Sequence, residues 1–596
     1  VEASVKSDMP ISYQWYRSDT EEKNGTAIQG ATKAEYIPTQ AGYYYVGAYL
    51  KDRNNKISDM VYSDIAHIMV GEYTAIIGLK GYATLKEAMD DAPADSVIRV
   101  CKDIEINETI NVAGKKFTID GQGHTLRRAD DFKKAFILAQ DKAQITLENV
   151  TLDGGAVWTG EEDPIVKRGL TNSGLTATCP LILAYDNSTL TLADGAVMQN
   201  NYNTGTIGNN GGQILEDNLT GGAIWGIDST VTMDGGVIRN NASVVFGSAM
   251  YVRGNESSVI VIYDGEITGN HDPNPTDKFS ASAICADNHT TVNVQGGTFN
   301  HNKGGMQGSV FWMGLKPLII SGGTFENNYT YGDGGVIYCY QDNSATNNIT
   351  LSNATFRNNE AKNFAGVINC YRKATIQNSV FENNKAANGG VFRVYREPIE
   401  SSGNKYFGNT ATNGGVLWAS NTVTTSEDRY EGNNAAKGAD IYIQDGHQLN
   451  IGNIRTIQDV YLLSFKPVRI TGQGNSDKLL PIITESEITN DTEVAYVQYG
   501  SSVDIRVNGY KADYKNRDEN GVPVHEGSKN FVMKAVIALR VVYNKDGGII
   551  DNEQQYTVYN TGTPLTLPTP HKDGYIFDGW YDNAELTGAP VTQIGA

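Results

Sequence analysis

Cleavage of a glycosidic bond needs two carboxyl groups, about 5 to 5.5 Å apart for retention and about 6.5 to 9.5 Å apart for inversion. Asp287, which ends the run SAICAD (282–287), and Asp333 and Asp342, which flank GGVIYCY (334–340), are the acids best placed for such a role. Glu397 and Glu400 follow Tyr395 in the same way. None has a second acid at the matching place one repeat away. Asp287 falls between Arg253 and Gly314, which predicts an Arg253–Asp287 surface pair, and no catalytic dyad is assigned. The eight histidines form no HExxH, and the five cysteines (Cys101, Cys179, Cys285, Cys339 and Cys370) are odd in number with no CxxC. That pattern predicts packed thiols, no disulfide framework and no transition-metal site. No cofactor is expected, although loop carboxylates on an acidic extracellular chain are suited to Ca²⁺.

A second set of residues suits recognition. Alternation along VIYCY (336–340), with Ile337 and Cys339 inward, turns Val336, Tyr338 and Tyr340 outward. Carried along similar runs, this frame puts Ile224, Met250, Ile284, Phe311, Ile337, Ile368, Phe392 and Leu417 inside. One outward column then reads Trp225, Tyr251, Cys285, Trp312, Tyr338, Asn369, Arg393, Trp418. Another reads Ile227, Arg253, Asp287, Gly314, Tyr340, Tyr371, Tyr395, Ser420. Flat rings cover the apolar faces of sugars, and interspersed Arg, Asn and Asp bond hydroxyls. Tyr, Trp and Arg are equally the usual anchors of protein interfaces. The competing reading is that bulky strand residues stack on one another or lie beneath a loop.

Both columns depend on an internal repeat. Its first half is a turn, as in IRNN (238–241), FNHN (299–302), FENN (325–328), FRNN (356–359) and FENN (381–384). Its second half is a small-residue bend into a strand, as in GGAIWGI (221–227), SVFWMG (309–314), AGVINCY (365–371) and GGVLWAS (414–420). The period settles to about 25 residues, with three short apolar runs per unit, too little for a helix pair but enough for one triangular turn of a right-handed parallel β-helix. From about residue 95 to about 470 there is room for roughly fifteen rungs and a rod on the order of 70 Å. The ladder of Asn200, Asn241, Asn270, Asn302, Asn328, Asn359, Asn384, Asn409 and Asn433 is expected to be structural, stacked amides satisfying one another and the backbone. Cys339 and Cys370 are expected on adjacent rungs, pointing inward as packed thiols. Thr84-Leu-Lys-Glu87 opens a short helix, ended by Ala92-Pro93, that caps the first rung.

Composition narrows the partners. With 48 basic and 68 acidic residues the net charge is −20, which disfavours nucleic acid. Glycine is abundant (64) and proline scarce (16), so a folded, turn-rich chain is expected rather than collagen or disorder. No run of about 18 apolar residues occurs, so no membrane insertion is expected in this segment.

The segment VAGKKFTIDGQGHTL (112–126) resembles the opening rungs of pectin-lyase-like β-helices, and the F-x-x-N and GG-[AV]-[IL] pairing resembles the repeats of chlamydial polymorphic outer membrane proteins, which are surface adhesins. The clustered Asp pattern of pectinases is absent from the rung positions. A β-helical lacto-N-biosidase-like hydrolase stays open, with acids on loops 270–280 or 342–348. SYQWY (12–16) and AGYYYV (41–46) resemble an immunoglobulin-type sandwich, in which Trp15 matches the buried core tryptophan and Tyr44 the tyrosine corner, with Val46 where the disulfide cysteine would stand. VVYNKDGG (541–548) and the motif Gly574-Tyr-x-Phe577-x-Gly-Trp580-Tyr581 resemble the internalin B-repeat family, a module of Gram-positive surface proteins; the resemblance stops before the family's last strand, and a longer cell-wall-attached chain is expected.

The expected organisation is therefore all-β: an immunoglobulin-like domain (1–72), the capped β-helix (73–472), final rungs or a small linker segment (473–537) and the C-terminal β module (538–596). The functional expectation is a bacterial cell-surface adhesin that binds a glycan or host glycoprotein, mucin or immunoglobulin among them. Its binding residues would be Trp225, Tyr251, Arg253, Asp287, Trp312, Tyr338, Tyr340, Tyr371, Arg393, Tyr395 and Trp418. The alternative is an extracellular glycoside hydrolase or polysaccharide lyase.

Overall fold

Residues about 25 apart become hydrogen-bonded neighbours in parallel strands. The computed structural model describes residues 10–52, 54–68, 71–159, 171–172, 175–205, 209–210, 213–214, 219–273, 282–340, 348–473, 478–490, 492–498, 503–525, 530–536, 538–550, 556–560 and 565–594. Ile224 pairs in register with Met250, and the same ladder runs on through Ile284, Phe311, Ile337, Ile368, Phe392 and Leu417. Every one of these side chains is buried in one continuous apolar lumen. A second parallel ladder follows the strands Leu318–Ile320, Ile349–Ser352, Ala374–Gln377 and Ile399–Ser402, and a third follows Thr324–Glu326, Thr355–Arg357, Val380–Glu382 and Lys405–Phe407. Three ladders around a filled lumen make the chain a parallel β-helix.

The third ladder contributes an internal stack. Phe299, Phe325, Phe356, Phe381, Tyr406 and Tyr430 lie ring over ring, with centroids 4.5, 4.6, 5.1, 5.1 and 4.9 Å apart. Three residues after each ring the chain turns, and there a buried asparagine bonds to its counterpart on the next rung. Asn359, for example, donates its backbone N–H and Nδ2 to Asn384 Oδ1 (both 3.0 Å) and donates Nδ2 also to Phe325 O (2.9 Å). Such a buried amide leaves no orphan donor at the turn. The ladder begins at Asn201 rather than Asn200, because the buried residue of that rung is Met198 and the ladder amide lies three positions later. Asn200 instead turns with φ 57° and donates to Asp153 Oδ2.

The ladder has charged groups at both ends. Arg128 Nη2 donates to Asn201 Oδ1 (3.0 Å), and Asn433 Nδ2 donates to Asp440 Oδ1 (3.0 Å). A cation thus meets the carbonyl end of an aligned row of amides and a carboxyl meets the N–H end.

At the bend into the first ladder, Gly334 has φ 75°, and a Cβ there would lie 2.3 Å from Ile337 O. Glycine is required by both backbone and space. The valine after the bend does not point outward: Val336 is buried in the main lumen, as are Val310, Val367, Val391 and Val416, because the chain has not yet entered the alternating strand.

Both ends of the lumen are covered. The helix Leu85–Asp91 is opened by a capping box between Thr84 and Glu87 and buries Leu85, Ala88 and Met89. At the other end, Leu479–Thr484 and Asp504–Val507 continue the parallel ladder, and the antiparallel pair Tyr510–Tyr514 and Phe531–Val536 follows.

In the N-terminal region, Ile11–Ser18 and Gly42–Leu50 form the centre of a five-stranded antiparallel sheet. The buried Tyr44 donates its hydroxyl to Gln40 O (2.7 Å). Among the described residues these strands make one sheet, and Trp15 is half-buried, lying against Tyr36 with Nε1 donating to Lys33 O. Near the C-terminus, Tyr543 and Phe577 pack around Trp580, whose Nε1 donates to Pro568 O. No helix among the described residues is long and apolar enough to cross a membrane.

Candidate functional site

The first outward column does leave the lumen, since Trp225 pairs with Tyr251, Cys285 with Trp312, Tyr338 with Asn369, and Arg393 with Trp418. It does not form a displayed stripe. Trp225, Tyr251 and Cys285 join Leu138, Leu183, Cys179 and Leu219 in a second apolar core, against which Phe246 and Trp312 pack. The covering residues come from the long connections that follow the third ladder, where the repeat lengthens well beyond 25 residues. As an exposed ligand contact, the expectation for Trp225 and Tyr251 is corrected. Tyr338 too is only 7% exposed.

Arg253 and Asp287 stand side by side in register but do not pair. Asp287 Oδ2 accepts from the Tyr251 hydroxyl (3.0 Å) and its Oδ1 accepts from Asn288 N–H. Arg253 donates through Nε and Nη2 to the Asn288 amide oxygen at 2.9 and 3.2 Å. The buried tyrosine captured the acid expected for the surface pair. Burial, with Cys285 and Asp287 nearby, pushes the Tyr251 hydroxyl well above the ordinary tyrosine range.

Rings reach the surface farther along. Tyr340 is 50% exposed and Tyr395 is 37% exposed. Trp312 lies 6.0 Å from Tyr340, Tyr338 lies 6.1 Å from Tyr371, and Tyr371 meets Tyr395 edge-on at 5.4 Å. Trp312 is fixed by its Nε1 bond to Gln307 Oε1 (2.9 Å). The Arg393 guanidinium sits among these rings, 4.1 Å from Phe364, 5.4 Å from Tyr395, 5.6 Å from Trp418 and 5.8 Å from Tyr371. Such a cation–π cage fixes the guanidinium without using up its donors.

Asp333 supplies the polar floor. Its Oδ2 lies 3.5 Å from Arg393 Nη1 and accepts from Asn369 Nδ2 at 3.4 Å. Burial pushes the Asp333 carboxyl above its ordinary pKa, opposed by the Arg393 charge and by hydrogen bonds from Phe364 N–H and Asn363. Asn369 Oδ1 and Arg393 Nε are buried with no partner. Two unsatisfied polar atoms in adjacent residues mark a place where a bound hydroxyl or water gains hydrogen bonds. Asp342, and all of loops 270–280 and 342–348 beyond residues 270–273 and 348, lie outside the described residues. Among the described residues no group of three His, Cys, Asp or Glu is arranged to hold a metal ion.

Three contributors escaped sequence reasoning. Phe364 and Phe246 cover the outward column from turns that the strand frame cannot place. Their signal was an aromatic just before the small-residue bend. The third is His271, directly after a ladder asparagine. It is buried with neither ring nitrogen partnered, and Trp158 meets it edge-on at 4.8 Å. Burial, and then Lys303, lower its pKa to about 3, so the imidazole is neutral at physiological pH.

The ladders and filled lumen define a parallel β-helix protein with an aromatic, Arg-centred patch on one outer face. Residues 540–594 match the Listeria-Bacteroides repeat domain family. Among solved structures, the chain is similar to a Yersinia enterocolitica family 28 exopolygalacturonase, with 10% identity, a TM-score of 0.24, and coverage of 85% of this chain and 95% of that one. No curated protein sequence matches the chain.

Proposed function

We propose that this chain is part of an extracellular bacterial surface protein that binds a glycan or glycoprotein through the row of rings Trp312, Tyr340, Tyr371 and Tyr395, of which the last two lie against Arg393. The observation that carries the reading is the ring cage that holds Arg393 beside the unsatisfied Asn369 Oδ1, with Tyr395 exposed at its edge. Rings offer apolar faces to a pyranose while Arg393, Asn369 and Asp333 address hydroxyls. Support for an extracellular setting comes from the Listeria-Bacteroides repeat, which is typical of surface proteins. The acidic net charge favours neutral over strongly anionic glycans. Loops that carry Ca²⁺, and a longer cell-wall-attached chain, fit the same setting.

The test is a glycan and mucin array probed with the wild-type chain and with Tyr340→Ala, Tyr371→Ala and Tyr395→Ala. Loss of retention in these variants with unchanged folding supports the reading; undiminished retention removes the patch from it.

Asp333 favours one second reading, an extracellular glycoside hydrolase, because a buried carboxyl with a raised pKa at the edge of a sugar-suited patch could donate a proton to a leaving group. Release of reducing sugar from mucin-type or milk oligosaccharides, abolished by Asp333→Asn, would establish it.

A further inference from the structure

Cys339 and Cys370 stand directly opposite each other on adjacent parallel strands, both inward, 0% and 2% exposed. Neighbouring strands are about 4.8 Å apart, within the Cα separation of about 4.4 to 6.8 Å that disulfides span. The Cβ separation typical of a disulfide, about 3.8 Å, is about 1 Å less than the strand spacing. Both are free thiols here. Cys101, Cys179 and Cys285 belong to other parts of the fold.

The two thiols have different surroundings in the folded chain. Burial raises its pKa, but the Cys339 S–H, the Arg372 backbone N–H (3.2 Å from Sγ) and the Arg372 charge outweigh burial and bring it below the ordinary thiol value. Burial and the neighbouring Cys370 push Cys339 up. Arg372 is itself buried, its guanidinium donating to Tyr340 O, Lys316 O and Met313 O at 3.1, 2.9 and 3.4 Å.

We propose that Cys339 and Cys370 are a covalent cross-linking site, oxidised by an external disulfide to an inter-rung bond that staples the two strands carrying Tyr338, Tyr340, Asn369 and Tyr371. One of the two thiolates attacks one sulfur of the external disulfide and expels a thiolate. The other thiolate then attacks the protein sulfur of the mixed disulfide and expels the second. Two protein thiols are oxidised by two electrons in all, and one external disulfide is reduced to two thiols, which take up the two protons. Both thiols are buried, so the reaction takes place during folding or local opening. The inference does not rest on the ligand reading.

The experiment refolds the full chain with glutathione disulfide and counts thiols in denaturant. Three free thiols, a mass loss of 2 Da and one linked peptide pair joining Cys339 to Cys370 are expected, with a higher Tm than the reduced protein. Cys370→Ala should retain four thiols after the same treatment. Five free thiols in the wild type, glutathione adducts without the linked pair, or a linkage of other cysteines would overturn the proposal. The wild-type peptide map gives the answer even if the variant fails to fold.

Discussion

Asp428 should make the β-helix less stable as pH rises from 4 to 6, and Asp428→Asn should remove that loss. The side chain lies inside the lumen. Its Oδ1 accepts from Asn404 N–H (2.7 Å) and Nδ2 (3.1 Å), and its Oδ2 meets Ser401 Oγ (2.5 Å) and Thr425 Oγ1 (2.7 Å). Those hydroxyls in turn contact Tyr406 OH and Tyr430 OH at 2.8 and 3.0 Å. Burial raises the Asp428 carboxyl to about 6, although all four of these bonds favour the charged form. Below pH 4 the folded and unfolded chains both hold the proton, and the residue is neutral in its effect. Between pH 4 and 6 only the folded chain holds it, so stability falls with rising pH, and above 6 the full cost remains. The gap between 3.8 and about 6 corresponds to about 3 kcal/mol. One rung earlier the repeat already uses an amide here, Ser379 N–H donating to Asn404 Oδ1 at 2.9 Å. Asparagine at 428 can keep both Asn404 bonds and donate Nδ2 to the two hydroxyls. Urea midpoints of both proteins from pH 4 to 8 should coincide at pH 4 and diverge to about 3 kcal/mol in favour of the variant by pH 7.5. Asp440, whose carboxyl burial also raises to about 6, leaves a residual slope in both. A variant less stable than wild type at pH 7.5, or a difference independent of pH, refutes the reasoning.

Asn359→Ala strips the acceptor from two donors of Asn328 and removes the Nδ2 donor from Asn384 Oδ1 and Phe325 O, and should cost about 3 to 5 kcal/mol by denaturant melting. Ala365 holds φ 60° at the bend where neighbouring rungs use Gly334 and Gly389, so Ala365→Gly should stabilise by about 1 kcal/mol in the same assay. Trp225→Ala should cost about 3 to 5 kcal/mol because its ring belongs to the second core, whereas Tyr340→Ala should change stability by no more than about 0.5 kcal/mol.

The lumen was legible because its rule is local: every residue from Ile224 to Leu417 assigned inward by alternation is buried in register. The asparagine ladder was legible for the same reason, except at Asn201, where Met198 in place of Phe blurred the starting point by one residue. Strand alternation tells which side of the wall a residue faces, but not what lies over that side. Trp225 and Tyr251 face outward into a core closed by Cys179 and Leu219, which lie on connections of irregular length. The Arg393 cage combines strand residues with Phe364 and Asp333 from turns, and no single period contains both. The lengthening of the repeat around residues 154–182 and 204–224 was the available clue that one face is covered.

The most direct test of the account is binding to a mucin and glycan array by the Tyr340→Ala/Tyr371→Ala chain beside wild type, with circular dichroism melts of both. The account predicts a loss of at least tenfold in retained protein at an unchanged melting temperature. Retention equal to wild type at that same melting temperature would contradict it.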